Sequence, residues 1–490
     1  MVHLRRMSLL LAALVATASV TACSAGGAGH DTGAGPARHH ESQPWPGGDT
    51  ATEEDGRSTF GVDVDTASYG YTRRLVSDGR LPERAQVRPE EFVNSFRQDY
   101  PEPTGDGFAV HVDGSHLPVT HRAGGDVRLM RVGLQTRSQE QRSRPDAALT
   151  FVVDVSGSMG EPGRLDLVRD ALHTLVDQLR RTDSIAIVEF SDEARVVREM
   201  TPVSDAAELH DAIDALRVRA STNLEAGLTL GYRVARAGFL RNGTNRVIVL
   251  SDGLANVGST DPEPILRRVR AEAEKQIAML GVGVGSEYGD ELMEQLADRG
   301  DGFAVYVSER DQARKVFVEQ LPATLAVRAL DAKVQVTFEE EAVRSYRLVG
   351  YDNRAIADED FRDDRVDGGE VGPGHSVTAL YEVRLAEGAS ASARAARVQV
   401  RWADPNTREP AETYASVSVA DLDRDFAAAS PRLRTCYAAA WFAQALRDGA
   451  DGGQVRLDDL AVIADRAAEA TEDAEVRELG RVIHAAAELR

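Results

Sequence analysis

Between residues 147 and 321 the chain alternates short, wholly apolar runs with amphipathic stretches of helical period, and few folds accept that pattern. The runs "ALTFVVDV", "SIAIVEFS", "RVIVLSDG", "IAMLGVGV" and "GFAVYVS" have almost no polar face, so each must be covered on both sides. Stretches between them, such as "RLDLVRDALHTLVDQLR", place apolar residues at i, i+3, i+4 and i+7, the stripe of a helix packed on one side. Residues 146–322 are therefore predicted to form an α/β domain with a Rossmann-like, doubly wound, mostly parallel sheet and helices on both faces.

The flanks follow other rhythms. Residues 58–145 predict a small α+β region. A strand runs through Phe60, Val62 and Val64, one helix starts near Ser68, a second spans roughly Pro89 to Phe96, and two strands follow. Asp63 and Asp65 alternate along that first strand and read as carboxylates on an exposed face, since no Gly or distal Glu completes a calcium loop. In residues 323–490, period-2 runs such as "AKVQVTFEEE" and "RAARVQVRWAD" predict a β-sandwich-like region, closed by a helical tail. The run "DEDFRDDRVDGGE" reads as a second cation site, as an internal acidic ligand or as a solvated acidic loop.

The N-terminus predicts export. Arg5 and Arg6 precede an apolar run from Met7 to Val20 that is too short to span a bilayer and suits a secretory signal over residues 1–22. Its end, Val20-Thr21-Ala22-Cys23, resembles the lipobox of bacterial lipoproteins, which implies lipidation at Cys23. Two acyl chains on that cysteine would suffice for a stable membrane anchor. Residues 23–57 then read as a disordered tether. The expected location is the extracytoplasmic face of the cell membrane. Only one other cysteine exists, Cys436, on an apolar helical face where it reads as a small buried hydrophobe. With 79 acidic against 57 basic side chains, the formal net charge is -22, which argues against nucleic acid, whose phosphates need clustered cations.

Ligands in such a sheet bind beyond the carboxyl ends of the strands. The loop after the first strand, "DVSGSMG", puts Asp154, Ser156 and Ser158 there. A catalytic serine would need a base and an orienting acid, and His173 lies too far along the next helix. The chain has no GxxxxGK[ST] phosphate loop. Two further strand-to-helix junctions carry matching oxygen ligands, Thr222 in "RASTNLEAGL" and Asp252 in "VLSDG". If the strands before Asp154 and Asp252 neighbour, two carboxylates meet. At about 6 Å and an effective dielectric near 20 their repulsion is roughly 3 kcal/mol. Arg219 is the one basic residue read within these loops, so a divalent ion is the economical counter-charge. The donors are all hard oxygens, which suits Mg²⁺ or Mn²⁺ and disfavours zinc.

Asp154, Ser156, Ser158, Thr222 and Asp252, in that order, resemble the metal-ion-dependent adhesion site of von Willebrand factor type A domains. The resemblance covers residues 147–321. It implies that the two serines and Thr222 hold the ion directly or nearly so, with the aspartates partly through water. One position would stay open for an acidic residue of a protein partner. Mg²⁺ is the expected cofactor, with Mn²⁺ and Ca²⁺ as further candidates. Ala220 departs from the pattern, since many members have Gly before the Ser-Thr pair. The flanks "FGVDVDTASYGYTRRLVSDGRLP" and "YRLVGYDNRAIADEDFRDDRVDGG" are similar to those of bacterial YfbK-type lipoproteins. Expected, then, is a non-enzymatic, lipid-anchored binding protein. The alternative is an envelope scaffold in which the metal is only structural.

Overall fold

The computed structural model describes residues 48–490 apart from 123–125, 139–143, 253–262, 286–292, 294, 298, 301, 309, 315, 318–320, 322–324, 326, 365, 367, 406 and 450–453. The signal segment, Cys23 and most of the tether lie outside the described residues. Among those described, no helix is long and apolar enough to cross a membrane.

Strands in chain order are β1 (Thr50–Ala51), β2 (Arg57–Gly61), β3 (Phe108–His116), β4 (Val127–Thr136), β5 (Ala147–Asp154), β6 (Ser184–Phe190), β7 (Ala194–Pro202) and β8 (Thr244–Ser251). They continue as β9 (Ala278–Val284), β10 (Phe303–Val307), β11 (Leu330–Phe338), β12 (Val343–Val349), β13 (Ser376–Leu385), β14 (Arg394–Ala403) and β15 (Pro410–Ser418). Helices before and within the α/β domain include α1 (Ala67–Ser77), α2 (Pro89–Asn94), α3 (Leu165–Gln178), α4 (Ala206–Asp214), α5 (Leu224–Ala237) and α6 (Glu263–Ala273).

β10-β9-β8-β5-β6-β7 form the central sheet, parallel throughout except for β7, which returns antiparallel to β6. All eight residues of β5 are buried, because apolar clusters fill both faces of this sheet. One face packs α3 and α4, and the other packs α5 and α6. Helix α5 lies close because Gly227 and Gly231 face the sheet. A Cβ at Gly231 would stand 2.4 Å from Val152 Cγ2, and one at Gly227 would stand 2.7 Å from the Phe190 ring.

The flanking regions do not form separate units. Strands from both build two antiparallel sheets, β1-β12-β13-β4-β3 and β15-β14-β11-β2. The sheets share one core in which Phe60, Met130, Val336, Tyr346, Tyr381 and Val398 meet. The five-stranded sheet carries the tail helices Pro431–Asp448, Leu457–Thr471 and Ala474–Glu488 on its other side. Every residue of β4 is therefore buried. The α/β domain is an insertion between β4 and β11 of this sandwich.

Two sequence expectations are corrected here. The sequence predicts a tether through residue 57, yet Thr50–Ala51 already pairs with β12 and Arg57 opens β2. The carboxylates of Asp63 and Asp65 are not on an exposed face: the residues are 2% and 1% exposed. β2 stops at Gly61, and Arg354 lies 3.3 Å from Asp63 and 3.5 Å from Asp65. Asp65 also accepts the amide of Ala304 at 2.8 Å, which ties this segment to β10.

Candidate metal centre

β5 ends at Asp154, whose side chain is fully buried. Its Oδ1 accepts the amide of Ser156 at 2.8 Å, a local turn that bends the loop back over the strand end. Its Oδ2 accepts the hydroxyl of Ser251, the last residue of β8, at 2.6 Å. β5 and β8 are parallel neighbours with Val153 opposite Leu250, so both strands end at one place. Residues Gly157–Gly160 then form a 3-10 turn with Met159 as its buried plug.

The second loop is tied to the first by the Arg219 amide, which donates to Val155 O at 2.6 Å. A Cβ at Gly157 would stand 3.6 Å from the Arg219 carbonyl. Ser221 has φ +60°, a left-handed conformation uncommon in a residue bearing a Cβ. The position needing unusual backbone is thus Ser221, one residue beyond Ala220, so the departure at Ala220 leaves the loop intact. Asn223 Oδ1 accepts the Ala226 amide at 3.0 Å and caps α5. Thr222, 4% exposed, sits directly before that cap.

Asp252 follows β8 and is 3% exposed. Ser158 Oγ donates to Asp252 Oδ1 at 2.9 Å, across 94 residues of chain. Ser156 Oγ lies 3.1 Å from Ser158 Oγ. Asp154, Ser156, Ser158 and Asp252 therefore form one continuous set of oxygens, and Thr222 stands on the loop packed against it.

The charge balance differs from the sequence reading. Arg219 pairs with Glu189, Nε to Oε1 at 2.8 Å. The basic group at the site is Arg164, which the sequence reading assigned to the helix. Its Nη1 contacts Asp252 Oδ2 at 2.5 Å and Ser158 O at 3.2 Å, and its Nη2 lies 2.6 Å from Glu161 Oε2. Asp252 thus has a counter-ion. The hydrogen-bond donors to Asp154 are neutral, and burial pushes its carboxyl up to about 6. Hydrogen bonds from Ser251 and Ser156 oppose that rise, and the charge of Asp252 adds to it. Ser251 and Arg164 are the two site residues the sequence reading missed. Ser251 stood next to Asp252 in "VLSDG", whereas no pattern marks Arg164, whose role depends on its side chain folding back from the start of α3.

A buried carboxylate held by neutral donors, beside serine and threonine hydroxyls, is a setting that a hard divalent cation fits. Among the described residues no three His, Cys, Asp or Glu side chains cluster as a metal site, so a cation held here would have to draw on the hydroxyls as well. His173 lies against His210 and Asp214, at 2.7 and 3.2 Å, and serves neither serine.

Three family models match the chain: von Willebrand factor type A domain over residues 148–319, the C-terminal region of uncharacterized protein YfbK over 323–489, and von Willebrand factor over 46–124. The uncharacterized protein YfbK of Escherichia coli is 35% identical over 337 residues, covering 67% of this chain and 58% of that protein. Inter-alpha-trypsin inhibitor heavy chain H3 of Rattus norvegicus is 30% identical over 174 residues, covering 34% of this chain and 19% of that protein. The chain therefore spans less than two thirds of the length of these relatives. A solved von Willebrand factor type A structure from Catenulispora acidiphila covers 78% of this chain and 91% of its own, with a TM-score of 0.49 and 17% identity. No enzyme family is indicated by these matches. The sequence pattern, the inserted parallel sheet and the matched families together make the chain a YfbK-like protein with a von Willebrand factor type A domain.

Proposed function

We propose that the chain binds a divalent cation, Mg²⁺ first among candidates, through Asp154, Ser156, Ser158, Thr222 and Asp252, and that this site serves protein–protein interaction. The observation that carries the reading is the convergence of loops distant in sequence, seen in the Ser158–Asp252 contact and the Asp154–Ser251 contact. A bound ion would supply an electrophilic position for an acidic side chain of a partner. Around it, Ser251 and the Ser156 amide would hold Asp154 in place, and the cap at Asn223 would fix Thr222. The matched von Willebrand factor type A family supports a binding role. Anchoring through Cys23 at the extracytoplasmic face of the membrane belongs to the same proposal and rests on the leader sequence.

Calorimetric titration with MgCl₂ and MnCl₂ tests the first step. Wild type is expected to bind one ion, and Asp154→Ala to lose at least tenfold in affinity; equal binding by both would refute the site. Capture of envelope partners by both proteins, with and without chelator, tests the second step. Capture unchanged in all four conditions would leave the scaffold reading. For the anchor, Cys23→Ser should move the protein out of the membrane fraction.

A further inference from the structure

We propose that Arg164 is a built-in competitor for the divalent cation, its guanidinium and the ion exchanging at Asp252. The proposal rests on the cation reading above. Three observations carry it. First, Arg164 is not a surface residue that happens to lie nearby: its side chain is 5% exposed, and one nitrogen bridges Asp252 Oδ2 and the Ser158 carbonyl. The guanidinium thus touches two of the residues assigned to the cation. Second, the passage for its stem is shaped. Gly285, just past β9, has φ +90°, and a Cβ there would stand 2.8 Å from Arg164 Nε. A side chain at that position would close the slot. Third, an alternative resting place is already engaged. Nη2 lies 2.6 Å from Glu161, whose side chain is 65% exposed at the rim.

A guanidinium and a dication cannot share one carboxylate cheaply at this depth, because charges a few ångströms apart interact strongly where water is sparse. Exchange lets Arg164 turn outward on Glu161 while the ion takes its place on Asp252. The consequence is a site whose cation affinity is set low by its own chain. Loading, and with it docking, would then follow the cation concentration over a usable range.

The test is calorimetric titration of Mg²⁺ into the chelator-treated full chain, as wild type, Arg164→Gln and Asp154→Asn. Arg164→Gln is expected to bind about tenfold tighter than wild type or more, and Asp154→Asn to bind far more weakly. Equal or weaker binding by Arg164→Gln, with wild type still binding, overturns the competition and leaves the cation site standing. No binding by either protein overturns both. If Arg164→Gln does not fold, the wild type carries the test through phenylglyoxal labelling mapped by mass spectrometry. Saturating Mg²⁺ should raise labelling of Arg164 several-fold, and unchanged or reduced labelling overturns the exchange.

Discussion

Glu90 offers a sharp test of the electrostatics where α2 packs against the sandwich. It is the second residue of α2, 3% exposed, and its Oε2 is buried without a hydrogen-bond partner. The carboxyl rests against Gly350, which has φ +81°, and a Cβ at that glycine would stand 2.2 Å from Oε2. Burial pushes the Glu90 carboxyl up to about 7, helped by the charge of Asp63 and opposed by the amides of Glu90 and Tyr351. A carboxyl raised in this way holds its proton more tightly in the folded chain than in the unfolded one. Its stabilising effect is complete below about pH 4.5 and is lost as pH rises towards 7. The gap between the two values corresponds to about 3 kcal/mol. Glu90→Gln keeps the shape of the side chain and removes the charge. Urea unfolding of both proteins at pH 5, 6, 7 and 8 should show the variant gaining on wild type by about 2–3 kcal/mol across that range, most of it between pH 5 and 7. The difference between the two proteins is the quantity to follow, because other groups titrate in the same range. A difference that stays constant from pH 5 to 8 would refute the argument.

Asp183, fully buried, accepts from both Arg144 Nη atoms at 2.9 and 2.5 Å and from the amides of Ala147 and Arg180. Asp183→Ala would strand the buried guanidinium and should cost about 3–5 kcal/mol, read from denaturant unfolding. Gly231→Ala forces a Cβ to 2.4 Å from Val152 Cγ2 and should cost about 1–3 kcal/mol. Because Thr222 directly precedes the Asn223 cap of α5, the same variant should also weaken Mg²⁺ binding in a titration. Burial and the charge of Arg347 hold His121 down to about 4, so its contribution to stability is lost as pH falls from about 6.5 towards 4. The acid limb of a thermal-melt series should be shallower in His121→Asn than in wild type.

The inserted domain was legible because a strand buried on both faces leaves a local mark, an unbroken apolar run, and each of its partners leaves the same one. The sandwich was legible only in part. β2 pairs with β11, some 270 residues away, and an antiparallel partner at that distance leaves no trace in either strand. For the same reason Asp63 and Asp65 resembled a solvent face: the guanidinium that accompanies them belongs to Arg354. At the candidate site the oxygen donors were visible as a spaced pattern, since each lies at or beside a junction between a strand and the next helix. Arg164 was not, because the direction of a long side chain is set by packing around Gly285 and not by its neighbours in sequence.

The insertion between β4 and β11 also has a temporal side. β3 and β4 are made early, but β13, which lies beside β4 along its whole length, follows about 240 residues later. At synthesis rates of roughly 5–20 residues per second, that is a wait of about 12–50 s. Throughout it a strand destined for complete burial presents an open edge, the kind of surface that pairs with other chains. Nascent chains of this protein should therefore depend heavily on holding factors until the second half of the sandwich arrives.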